Sequence, residues 1–88
     1  MEWLKLNANE NVDPVRLDAD FLCFFMIYSK PADVAMFRDE DLNMYLWPSS
    51  SEIAMLLQHK YTFTPCENPN LSEDNLVIGE ASVFEFIP

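Results

Sequence analysis

Six prolines, at positions 14, 31, 48, 65, 69 and 88, set the first limit on what this chain can build. Each fixes φ near about −65° and removes a backbone donor, so the elements between them are short. Eighty-eight residues suit one domain, and no repeat, Gly/Ser linker or low-complexity tract divides them. Residues 1–88 are therefore expected to form a single acidic domain. Half of the residues are apolar, 14% are aromatic and only one is glycine, which argues against disorder despite the high charge.

Between the prolines, local patterns suggest the elements. Trp3 to Leu6 reads as a first strand, and Asn7 to Pro14, rich in Asn and Asp, as a loop. Residues 21–28 are eight continuous apolar residues, Phe-Leu-Cys-Phe-Phe-Met-Ile-Tyr. They fit a strand buried on both faces; a buried helix is the rival, because periodicity cannot separate the two. Pro31 is suited to the first position of a short helix, on which Val34 and Phe37 would share a face. Leu42 to Trp47 reads as a strand stopped by Pro48. Ser49 and Glu52 have capping-box spacing, with a start one or two residues later also allowed, and Ile53, Leu56 and Leu57 follow as an apolar stripe. The best helix is thus expected over about 50–59. Tyr61 and Phe63 then alternate with polar neighbours as a half-buried strand ended by Pro65. Leu76 to Ile78 and Val83 to Ile87 are further strand candidates around Gly79. The mixture predicts an α+β domain: a mostly antiparallel sheet of about four to six short strands with one or two helices.

The charge is strongly one-sided. The formal net charge is −10. Residues 1–38 carry six acids and four bases, whereas residues 39–88 carry nine acids against Lys60 alone. Such acidity argues against direct binding to nucleic acid or an anionic membrane, both of which need a basic footprint. No apolar run approaches the roughly 20 residues of a membrane span. Met1-Glu2-Trp3-Leu4-Lys5 lacks the basic and apolar regions of a secretory signal, so a cytoplasmic location is expected. In that compartment Cys23 and Cys66 are expected to be free thiols, Cys23 as a small buried hydrophobe and Cys66 in a loop.

Motifs that would carry chemistry are weak. Asp39, Asp41 and Asn43 mimic the opening of a calcium loop, but Met44 and Ser50 stand where that loop needs Gly and Glu. His59 is the single histidine and has no second ligand at zinc spacing. One histidine, no Gly-x-Ser-x-Gly elbow and no Gly-rich phosphate loop leave little for catalysis. The expectation is a non-enzymatic protein with no cofactor and no metal.

What remains is an acidic interaction surface. Asp39, Glu40, Asp41, Glu73 and Asp74 are the candidate partner-binding residues, and the expected partner is a protein with a basic surface. Nucleases and other nucleic-acid-processing proteins have such surfaces because they bind phosphate. By physical class the chain compares with immunity proteins and with phage-encoded DNA mimics or anti-CRISPR inhibitors. The alternative is a structural or assembly subunit that pairs through an apolar strand or patch, a homodimer included, with the acids serving solubility.

Overall fold

Every residue of Met44–Trp47 is buried, although side chains alternate between the two faces of a strand. A strand of this kind must be covered on both sides, and the fold is arranged to do so. The computed structural model describes residues 2–7, 11–28 and 34–88. In chain order they form β1 (Trp3–Leu6), α1 (Pro14–Tyr28), β2 (Ala35–Arg38), β3 (Met44–Trp47), α2 (Glu52–Leu57) and β4 (Phe63–Cys66). A 3-10 turn over Glu73–Asn75, β5 (Leu76–Ile78) and a 3-10 segment over Ala81–Phe86 complete the chain. The five strands make one antiparallel sheet in the order β4-β1-β3-β2-β5, and the class is α+β.

The two helices cover one face. Leu17 and Phe21 of α1 and Ile53, Ala54 and Leu57 of α2 pack on Leu4, Met36, Met44, Leu46 and Phe63. The other face carries Trp3, Ala35, Phe37, Tyr45 and Trp47, and the C-terminal segment closes it with Val83, Phe84 and Ile87. Phe84 meets Phe37 edge-on at 5.6 Å, and Trp3 meets Phe37 at 5.1 Å, the geometry that aromatic quadrupoles prefer.

Several elements differ from the sequence reading. Residues 21–28 are neither a strand nor a buried helix. They are the second half of α1, whose outer face is exposed. The helix starts where Asp13 accepts the Val15 N–H at 3.0 Å and Pro14 takes the first helical position, a cap followed by a residue that needs no donor there. Cys23 is consequently exposed rather than buried, and Cys66 ends β4 half-buried instead of lying in a loop. Val34 and Phe37 share no helix: Val34 precedes β2 and Phe37 lies within it, while Pro31 lies outside the described residues. Helix α2 covers 52–57, within two residues of the expected 50–59 at each end, and of the allowed starts the later one is used: its cap is Ser51, whose hydroxyl accepts the Ala54 N–H at 3.1 Å. Glu52 thereby becomes the first helical residue, too early to close a capping box. Pro65 does not end β4 but sits inside it, which an edge strand permits. Val83 to Ile87 is no strand; its residues fall mainly in the terminal 3-10 segment.

Two links fasten α1 to its surroundings. Arg38, at the end of β2, donates from Nη2 to both carboxylate oxygens of Asp18 at 2.9 and 3.1 Å. Tyr61 donates its hydroxyl to Asp20, which also pairs with Lys60 at 3.5 Å.

Gly79 is needed where β5 passes into the covering segment. Its φ is +127°, and a Cβ there would lie 2.7 Å from Ala35 Cβ and 3.1 Å from Ala35 Cα. Because the obstruction includes backbone, Gly79→Ala is expected to cost about 2 kcal/mol or more. Thermal unfolding followed by circular dichroism should show a Tm lower by about 10 °C.

Candidate acidic interaction site

The β2–β3 connection is built around one carboxylate. Asp39 Oδ1 accepts the backbone N–H groups of Asp41 and Asn43, both at 2.9 Å. Its Oδ2 accepts Asn43 Nδ2 at 3.0 Å and the Tyr45 hydroxyl at 3.1 Å. Short polar side chains that bond nearby backbone in this way fold a turn on themselves. Asp39, the first residue of the pattern that imitates a calcium loop, is therefore occupied internally, with Asp41, Asn43 and Tyr45 as the donors. Leu42 completes the turn at φ +66°, with its side chain exposed.

A second acidic segment meets this turn. Asn75, which ends the Glu73–Asn75 turn, receives the Ser72 N–H on its amide oxygen at 3.0 Å. Its amide nitrogen donates to the Arg38 carbonyl, also at 3.0 Å. A shallow depression of about 240 Å³ lies where the segments join, bounded by Asp39, Glu40, Asp41, Leu71 and Asn75. The five acids singled out from the sequence thus fall on two adjoining segments, although they do not play one role. Asp39 holds the turn. The carboxylates of Glu40, Asp41, Glu73 and Asp74 are exposed, with no hydrogen bond or ion pair among the described residues.

Of the described cations, two are paired, one lies over a tyrosine ring, and Arg16 is exposed on α1 with no ion pair among the described residues. Arg38 and Lys60 pair with Asp18 and Asp20 of α1, and Lys5 lies over the Tyr45 ring at 5.9 Å. Residues 61–88 contain five acids and no Lys, Arg or His. That segment supplies no cation of its own, and Lys5 shares its face of the sheet beside Tyr45 and Cys66. His59 is exposed just beyond α2. Among the described residues no group of three His, Cys, Asp or Glu side chains is placed to hold a metal ion, and no helix is long and apolar enough to cross a membrane.

No protein-family model matches the chain, and comparison with curated proteins and with solved structures gives no match in sequence or fold.

The Asp39–Tyr45 bond shifts both groups. Burial raises the Asp39 pKa, but the hydrogen bonds from Asn43, Tyr45 and Asp41 outweigh it and hold the carboxyl below its ordinary value. Burial, then the Asp39 hydrogen bond and charge, push Tyr45 up to about 12, and burial with Asp20 does the same to Tyr61. A depressed carboxyl adds stability that is present above its unfolded pKa and lost as pH falls through the folded one. The raised tyrosines add stability that is full below their ordinary value of 10 and lost as pH climbs towards about 12. Ultraviolet titration should accordingly show Tyr45 and Tyr61 ionising near pH 12. Asp39→Asn should bring the Tyr45 transition down while leaving that of Tyr61 in place.

Proposed function

We propose that this chain is a non-enzymatic inhibitor or antidote that docks its acidic face on a basic functional surface of a nucleic-acid-processing protein. The observation that supports it is the meeting of the β2–β3 turn with residues 71–75. There Glu40, Asp41, Glu73 and Asp74 remain unpaired while Arg38 and Lys60 are paired on the other side of the sheet. Carboxylates held on a compact fold can occupy a phosphate-binding cleft, and opposite fields accelerate the encounter. Leu42 adds to this reading. A leucine in the left-handed region costs roughly 1 kcal/mol or more, and its apolar side chain is exposed between the acids and Asn43. That is costly for folding alone and suits an apolar anchor at the edge of a charged contact, on the side towards the start of α1.

The assembly reading has its own observation, the exposed apolar outer face of α1, and it does not compete for the same surface.

The docking reading is tested with Glu40, Asp41, Glu73 and Asp74 all changed to Lys, which moves the net charge from −10 to −2 and spares Asp39. Wild-type and reversed proteins serve as baits for source-cell extract. Protein released by salt from the wild-type bait is assayed for nucleic-acid binding or cleavage. Added back, the wild type should inhibit that activity, and the reversed protein should be at least about tenfold weaker at 0.1 M salt, where the Debye length is about 10 Å. Equal inhibition by the two proteins would remove these acids from the contact. In the same assay Leu42→Asn should raise Tm, because Asn tolerates the left-handed conformation, yet weaken inhibition.

A further inference from the structure

Helix α1 is apolar on its outside as well as its inside. While Leu17 and Phe21 are fully buried against the sheet, Val15, Leu22, Met26 and Ile27 are 76%, 45%, 76% and 65% exposed. Ala19 and Cys23 lie exposed between them. Arg16 is exposed at the margin of this outer stripe, and a continuous apolar stripe on a helix surface is ordinarily buried against another element.

The pattern of the outer face points to what covers it. Val15, Ala19, Leu22 and Met26 are separated by four, three and four residues, the spacing of a packed helix seam. These intervals read the same from either end. Two antiparallel copies related by a two-fold axis through the middle of the helix would set Val15 against Met26 and Ala19 against Leu22, and the reverse. Each pair joins a smaller side chain to a larger one, as interdigitation requires, and the contact is isologous and closed.

Charge placement agrees. The carboxylates of α1 nearest this face, Asp18 and Asp20, are paired with Arg38 and Lys60. The unpaired acids of residues 67–88 belong to the segment that covers the opposite face of the sheet. Pairing through α1 therefore keeps the two acidic layers outermost. The stripe offers on the order of 500 Å² per copy, or about 1,000 Å² in all, the lower end for a specific interface. Repulsion between two chains of net charge −10 weakens the association further.

We propose that the outer face of α1, centred on Val15, Ala19, Leu22 and Met26, is a self-association surface. On it two copies of this chain form a weak antiparallel two-fold dimer.

Sedimentation equilibrium of the whole chain, from micromolar to millimolar protein, provides the test. A reversible monomer–dimer equilibrium is expected, with dissociation in the micromolar range or weaker. It should tighten as salt rises from 0.1 M to 1 M, because the Debye length falls from about 10 Å to about 3 Å and the net repulsion is screened. Leu22→Lys with Met26→Lys should weaken the dimer at least tenfold, and Lys is as good a helix former as the residues replaced. Circular dichroism should show that variant folded with an unchanged Tm. The opposite salt dependence separates this contact from the acidic docking surface, so either can fail without the other. A wild type that stays monomeric at millimolar protein, forms open-ended aggregates, or dimerises as well with both lysines would overturn the proposal. Binding of the monomer to phosphatidylcholine vesicles, lost in the double variant, would overturn it too by assigning the face to lipid.

Discussion

The need to cover both faces of a very short-stranded sheet governs this molecule. Its strands have three or four residues each, so ladder hydrogen bonds are few and side-chain burial on the two faces must supply most of the cohesion. Central β3 states the requirement most directly. Met44 and Leu46 belong to the helix-covered core, and Tyr45 and Trp47 to the other. Two helices satisfy the first. The second depends on the C-terminal residues, which is why the single glycine stands where β5 gives way to them, against Ala35. The cost is visible in the aromatic layer. The indole N–H groups of Trp3 and Trp47 are buried with no acceptor among the described residues, a loss of about 1–3 kcal/mol each, so the rings are kept for their area and edge-to-face contacts.

That layering also sorts the charge. Helix α1 presents Asp18 and Asp20 towards Arg38 and Lys60, so two of the chain's five Lys and Arg side chains fasten the helix layer. The covering segment has none of its own. An imbalance that is only a ratio along the sequence thus becomes a difference between two sides of the fold, one neutralised and partly apolar, the other acidic.

Most strands were legible because their signals are local. Trp3–Leu6, Met44–Trp47 and Leu76–Ile78 are apolar or β-branched runs bounded by turn residues, and the serines before Glu52 announced α2 to within two residues. Helix α1 was not legible for a physical reason. Period detection needs a polar outer face, and Leu22, Cys23, Met26 and Ile27 remove it. The usable signal was Asp13-Pro14, a cap followed by a first-turn proline. The terminal segment misled in the same way: alternation of Phe84, Glu85 and Phe86 suggests a strand, whereas Val83, Phe84 and Ile87 are the residues that pack inward. For the acidic site, composition singled out the residues but not their roles. That Asp39 is spent on its own turn depends on Asn43 and Tyr45. The meeting of the two acidic segments depends on a bond between Asn75 and the Arg38 carbonyl, far apart in the chain, which no local pattern encodes.

The two surfaces constrain each other. An exposed apolar stripe on a small protein invites open-ended association, and a charge of −10 opposes it. Repulsion acts between whole molecules at any orientation, whereas the stripe gains only when its small and large residues interleave. The balance therefore favours one closed arrangement over many loose ones, because a third copy would meet the combined charge of two chains and find the stripe already covered. In that arrangement the acidic layers face outward in opposite directions. On the proposed docking reading, the proposed dimer would engage two basic partners, or two sites on one symmetric partner, with the second contact made at the effective concentration set by the dimer rather than by bulk protein. The apolar seam would thus contribute to affinity without touching the partner, and its own weakness would let monomer and dimer exchange as the concentration changes.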